Sequence, residues 1–185
     1  MTLRSDVAEL LAGAGIVDVD VDDAVADEHI RSSAYQRVVS LAASSASGDR
    51  DRDRDRAIVA AILRDPNEIT SKTAVVAFVD RVAMTVAGPA GFRQWSAELL
   101  PEIDRLEAEG YREFIRRRIH DWLFYLSIEA GHVPTPAELG EVTDWMQRLL
   151  AEKSRATAVL ALLAESGSSK KIRNIARNRS GPVRT

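Results

Sequence analysis

Apolar residues recur at every third or fourth position through most of this chain, and this spacing constrains the fold more than any other feature. Leu139, Val142 and Met146, for example, follow one another at intervals of three and four. An α-helix places such residues on one face, whereas a half-buried strand needs them at every second position. Residues 16–23 do alternate in that second way, but a lone strand has nothing to pair with. We therefore predict an all-α fold in which residues 16–23 form an extended connector.

Local start and stop signals predict where the longest helices lie. Thr135-Pro136-Ala137-Glu138 combines a capping Thr, a Pro in the first turn and a Glu three residues after the cap, which is typical of a helix start. The heptad-like stripe that follows predicts one helix over 136–164. This helix would pack antiparallel to an aromatic-rich helix over 111–130, and the pair would form the centre of the fold.

The domain organisation follows from these helices and from a few breaks in the pattern. Residues 44–56 are interpreted as a loop and charged segment, because a Ser-rich stretch ending in Gly48 precedes an Asp-Arg repeat. The sequence predicts a single-domain helical bundle of about seven or eight helices over residues 1–167. A basic C-terminal helix and tail would follow over residues 168–185.

Composition excludes several classes of protein. The 185 residues contain no cysteine, so disulfide scaffolds, cysteine nucleophiles and thiolate metal sites are excluded. The longest apolar run, residues 74–79, is six residues long, whereas a membrane-spanning helix needs roughly 20. No signal-peptide pattern is present at the N-terminus. We therefore expect a cytoplasmic protein without a membrane partner.

Charge is distributed unevenly along the chain. Residues 1–30 carry eight acids and one Arg, whereas residues 168–185 carry six cations and no acid. The segment from Ala158 to Arg179 has the outline of a helix-turn-helix with Gly167 in its turn, although Arg173 stands where such units usually have an apolar residue. Arg, Lys and Asn suit phosphates and base edges. The predicted residues that contact nucleic acid or a partner are Lys170, Lys171, Arg173, Asn174, Arg177, Asn178 and Arg179.

These observations lead to a first functional hypothesis. The protein would be a non-enzymatic regulatory or assembly protein that contacts nucleic acid or an acidic protein partner through its basic C-terminal helix. The basic tail could equally be solvated, or could dock on the acidic N-terminal segment, and the sequence leaves these alternatives open.

A second hypothesis is a self-associating scaffold. The 136–164 stripe and the aromatic helix would pair with a second copy of the chain, and the basic tail would meet the other subunit's acidic head. The predicted interface residues are Leu139, Val142, Met146 and Leu149.

A third hypothesis is a small helical enzyme that uses His29, His120 and His132 with nearby carboxylates. The sequence lacks a nucleophile elbow, a phosphate-binding loop and a dinucleotide-binding turn, so we favour a protein that is not an enzyme. Glu129 and His132 have the spacing of a di-iron ligand pair, but the second pair is missing. We therefore predict no catalytic residues, no metal and no cofactor.

Overall fold

The computed structural model describes residues 2–44 and 51–180. These residues form eleven helices, which are α1 (Leu3–Gly13), α2 (Val21–Ala26), α3 (Glu28–Ala43), α4 (Arg52–Ile62), α5 (Glu68–Thr85), α6 (Pro89–Ile103), α7 (Glu109–Glu129), α8 (Pro136–Glu141), α9 (Asp144–Lys153), α10 (Thr157–Ser166) and α11 (Lys170–Ser180). No strand is present in the described part of the chain, so the all-α prediction is confirmed. No helix in these residues is long and apolar enough to cross a membrane.

The helices are more numerous than the seven or eight predicted, mainly because the predicted helix over 136–164 is three helices. Val142 and Ser154 have extended ψ angles of 156° and 142°, so the chain turns at both places. Thr143 is the N-cap of α9. The buried carboxylate of Asp121 accepts hydrogen bonds from the backbone N–H and from the hydroxyl group of Thr143. The heptad-like spacing continues across both turns, so spacing alone could not reveal them.

The two segments predicted to be non-helical are shorter than expected. Asp20 caps α2 by accepting from two backbone N–H groups, so only residues 16–20 of the predicted connector lie outside a helix. Asp51 caps α4, so the Asp-Arg repeat from Arg52 onward is helical. The rest of the 44–56 prediction falls largely on residues 45–50, which lie outside the described residues.

The chain divides into two compact units, residues 1–118 (unit 1) and residues 119–185 (unit 2), and the division falls within α7. The predicted division was a bundle over 1–167 followed by a tail over 168–185. The difference arises because α11 packs against α9 and α10, with Ile172 and Ala176 fully or almost fully buried. Within the described residues α11 is therefore part of the core of unit 2.

In unit 1, α3 packs against α5 and α4 packs against α6 around an aromatic core. Phe78, Phe92 and Trp95 are buried there, with the Trp95 ring 5.5 Å from the ring of Phe78 and 5.6 Å from that of Phe92. The indole N–H of Trp95 donates to the buried carboxylate of Asp55 at 2.9 Å. The polar end of the largest side chain in this core is therefore satisfied without water.

A buried ion pair ties α3 to the link between α4 and α5. The Arg31 guanidinium donates to Asp65 at 2.6 Å, and Tyr35 donates its hydroxyl hydrogen to the same carboxylate at 3.0 Å. Burial and the nearby Asp65 charge raise the pKa of Tyr35, so it remains a donor. Sequence spacing would make Asp65 the cap of α5, but Asn67 takes that role and Asp65 is fully buried instead.

In unit 2, short helices enclose a small apolar core. Leu139, Met146, Leu150 and Leu163 are completely or almost completely buried within it. The predicted capping box is confirmed, because Thr135 and Glu138 exchange hydrogen bonds at the start of α8. Helices α9 and α10 of this core pack directly against α11.

Candidate nucleic-acid interface

The turn between α10 and α11 consists of three residues, Gly167, Ser168 and Ser169. Gly167 is buried and its N–H donates to the Leu163 carbonyl oxygen. A Cβ atom at this position would lie 2.6 Å from that oxygen and 3.0 Å from Cγ2 of Ile172. A Cβ here would crowd both the last turn of α10 and the first turn of α11, and glycine is the residue that fits without a shift.

Arg173 stands where helix-turn-helix units usually have an apolar residue, and in the structure it contacts the turn between α10 and α11. Its guanidinium donates to the Gly167 carbonyl oxygen at 2.7 Å, and its Cγ would lie 3.2 Å from a Cβ at Gly167. The aliphatic part of Arg173 thus packs on the turn while the charged end satisfies a carbonyl group. Ser169 completes the turn by accepting from the backbone N–H of Ile172 at the start of α11.

Two further side chains attach α11 to the rest of unit 2. Gln147 is buried, and its amide donates to the Leu139 carbonyl oxygen at 3.0 Å while accepting from the Ser168 N–H at 2.8 Å. Arg179 donates to the Ala151 carbonyl oxygen in the last turn of α9 at 2.9 Å. Such carbonyl groups have no partner within their own helix, so a cation is well placed to serve them. The helix is thus held near both of its ends.

The two faces of α11 differ sharply in character. Ile172 and Ala176 are buried on one face. The opposite face carries the exposed side chains Lys170, Lys171, Asn174, Arg177 and Asn178. At about 100° per residue these five side chains fall within an arc of about 120°. We call them the basic face of α11, and it contains three cations, two amides and no acid.

Within residues 2–44 and 51–180, no carboxylate forms an ion pair with the three cations of this face. Among the described residues, the charge of Lys171 helps to lower the pKa of Glu152. The pKa of Glu152 is lowered first by a hydrogen bond from Arg148, at 2.8 Å, and Lys171 is a smaller cause. On the face itself, Arg177 donates to the side-chain oxygen of Asn174 at 3.2 Å. The charge of this face is therefore available to an external anion.

Five of the seven predicted contact residues are thus brought together, and two are partly diverted. Arg173 and Arg179 use one nitrogen each to bond backbone carbonyl groups within unit 2. Sequence reasoning could not separate them from the other cations of α11, because the helical position alone does not reveal which carbonyl groups lie nearby.

The predicted self-association residues are in a different environment. Leu139, Val142 and Met146 are at most 5% exposed within unit 2, and Leu149 is half-buried. Since the 136–164 segment turns twice, they do not form a continuous stripe on a surface. Their burial is explained by packing within the unit.

The histidine residues of the third hypothesis lie at the surface of the described part of the chain. His29, His120 and His132 are all exposed, and His132 hydrogen-bonds to Glu138 at 3.0 Å. His120 and Glu129 are nine positions apart in α7, which corresponds to a rise of about 13 Å along the helix axis. A cavity of about 150 Å³ between α1, α3 and α4 is lined mainly by apolar side chains and by no histidine. Within the described residues no group of three metal-ligating side chains is present.

The acidic N-terminal segment forms ion pairs within unit 1. Asp22 accepts from Arg4 and Asp18 accepts from Arg37, each at 2.7 Å. Each hydrogen bond lowers the pKa of its carboxyl group. Asp6 is buried and pairs with Arg64. Several acids expected to attract the basic tail therefore already have cationic partners.

Sequence reasoning missed two residues that position the basic face. Gln147 has no motif around it, and its role appears only because Leu139 and Ser168 are brought to its two ends. Ser169 does carry a local signal, since a serine directly before a helix is typical of an N-cap.

No protein-family model, no curated protein and no solved structure matches this chain significantly.

Proposed function

We propose that this protein binds nucleic acid through the basic face of α11 and acts as a non-enzymatic regulatory or assembly protein. The observation that carries the proposal is the face itself, with Lys170, Lys171 and Arg177 exposed beside two asparagines and no acid. A helix with one buried face and one cationic face, joined to its neighbour by a tight turn, suits the docking of a helix against a phosphate backbone. The proposal includes a cytoplasmic location, where nucleic acid is accessible.

The physical basis of binding is the release of counterions from the phosphates. Each cation that neutralises a phosphate adds about 0.9 to the slope of log affinity against log salt for duplex DNA. Three cations on the basic face therefore account for a slope of about 2.7. Cations of residues 168–185 outside this face add to the same effect.

The test is a set of substitutions on the exposed face. Deletion of residues 168–185 would remove Ile172 and Ala176 from the core, so lost binding could simply reflect unfolding. The variant K170Q/K171Q/R177Q changes exposed side chains only. Binding of a fluorescent duplex would be followed by anisotropy over a series of salt concentrations. At 0.1 M salt we expect the variant to bind roughly 10²- to 10³-fold more weakly, with a slope smaller by about 2.7.

The matched control is R54Q/R93Q/R117Q, which removes the same charge from three exposed arginines of unit 1. This control should bind like the unmodified protein if the basic face is the site. Equal losses in both variants would show that net charge, rather than this face, drives binding. Absence of binding by the unmodified protein at low salt would overturn the proposal and leave an acidic protein as the partner to seek.

A further inference from the structure

We infer that the ligand of the basic face is duplex DNA in its B form, with α11 in the major groove and Asn174 reading an adenine. This inference rests on the proposed function, because it names the kind of nucleic acid and the base contact at the same site. Three features of α11 carry it: its dimensions, its lack of aromatic residues and the hydrogen bond between Arg177 and Asn174.

The dimensions of α11 match the major groove of B-form DNA. Its 11 residues give a length of about 16 Å, and the basic face from Lys170 to Asn178 spans about 12 Å along the axis. That span equals three to four base pairs at about 3.4 Å each. The major groove of B-form DNA, about 12 Å wide, admits an α-helix, whereas the deep and narrow major groove of duplex RNA does not.

The composition of α11 disfavours single strands. Proteins that bind single-stranded DNA or RNA stack the bases on aromatic side chains. Residues 170–180 contain no aromatic side chain. The basic face offers charge and hydrogen bonds but no stacking surface, so the bases of its ligand must already be stacked and paired.

The hydrogen bond between Arg177 and Asn174 fixes which way the Asn174 amide points. A guanidinium group can only donate, so the oxygen of the amide must face Arg177, at 3.2 Å. The oxygen keeps a second lone pair, which can accept another hydrogen bond. The NH₂ group takes no part in the bond with Arg177 and can donate to another group. Adenine offers an acceptor at N7 and a donor at N6 in the major groove, and an asparagine amide pairs with both. Asn174 lies in the N-terminal half of α11, the part of a recognition helix that reaches base edges.

The first experiment compares three probes with the full-length protein by anisotropy: a 30-base-pair DNA duplex, an RNA duplex of the same sequence and the corresponding single DNA strand. We expect the DNA duplex to bind at least tenfold more tightly than either of the others. Equal or tighter binding of RNA or of the single strand would overturn the inference while leaving the proposed function intact. Failure of all three probes at low salt would instead overturn the proposed function.

The second experiment selects preferred sites from a randomised DNA duplex and then measures affinity for the selected site and its single-base variants. N174A should lose preference for one adenine by roughly 5- to 150-fold, with an unchanged salt slope. The control Q94A removes an exposed side-chain amide from α6 of unit 1, outside the basic face, and should keep that preference. Circular dichroism would verify that both variants are folded. If no sequence is enriched, or N174A keeps its preference, base reading by Asn174 is excluded.

Discussion

The G167A substitution tests whether close contact at the turn holds α11 in place. The φ angle of Gly167 is −57°, which alanine adopts readily, so backbone strain plays no part. The added methyl group would lie 2.6 Å from the Leu163 carbonyl oxygen and 3.0 Å from Cγ2 of Ile172. The first of these atoms is backbone in the last turn of α10, which Gly167 caps, so that turn must distort to accept the methyl group, and Ile172 of α11 must also shift.

The magnitude follows from two opposing effects. Overpacking of a close contact costs about 1–3 kcal/mol. Replacing glycine by alanine restricts the unfolded chain and returns about 0.4–1 kcal/mol. The net expectation is a loss of about 1–2 kcal/mol in the free energy of unfolding, or roughly 2–8 °C in Tm for a chain of this size. The substitution changes no charge, so any weakening of duplex binding would report displacement of the basic face.

The assay is thermal unfolding followed by circular dichroism, with G140A as the matched control. Gly140 lies inside α8, and a Cβ at this position would meet no atom within 4 Å. Alanine there should stabilise the protein slightly, since it is the better helix former by about 1 kcal/mol. If G167A is as stable as the unmodified protein, the close contacts of Gly167 with the last turn of α10 and with Ile172 are refuted.

Three further perturbations test the buried polar contacts and one exposed cap. D65N leaves the buried charge of Arg31 without its carboxylate and should cost about 3–5 kcal/mol in urea unfolding. W95F removes one hydrogen bond to the buried Asp55 carboxylate and should cost about 1–3 kcal/mol in the same assay. E138Q should lower Tm at pH 7, and this difference should vanish as the solution is acidified. Hydrogen bonds from the α8 cap lower the pKa of Glu138 below its usual 4.5, so its contribution is present above pH 4.5 and is lost as the pH falls through the lowered value.

Each of these expectations has its own contradicting result. The double variant R31M/D65L should recover much of the stability lost in D65N, because it removes both buried charges. A double variant no more stable than D65N would mean that packing, rather than the unpaired charge, causes the loss. Unchanged stability of W95F would show that the hydrogen bond from Trp95 to Asp55 does not stabilise the fold measurably. A Tm difference for E138Q that persists at pH 2 would exclude the ionised carboxylate as its cause.

The candidate site shows which of its parts could be predicted from the sequence. Spacing and charge predicted the turn at Gly167 and the set of basic residues that follow it. The same reasoning could not assign Arg173 and Arg179 to backbone carbonyl groups of unit 2. Those carbonyl groups belong to Gly167 and Ala151, and the second lies 28 residues from the arginine that serves it. A contact over that distance depends on how α9 and α11 pack.

Some features of the fold depend on neighbouring residues in the sequence, and others depend on residues far apart in the sequence. The all-α class and the capping box at Thr135 follow from the sequence alone, because helical periodicity and caps depend on residues three or four positions apart. Tertiary packing placed a turn at Thr143 within the 136–164 segment, because a carboxylate 22 residues away completes the cap there. It likewise decided that Asp65 is buried beside Arg31 instead of capping a helix. Local periodicity fixes which residues can form a helix, whereas a partner from a distant part of the chain decides where that helix stops.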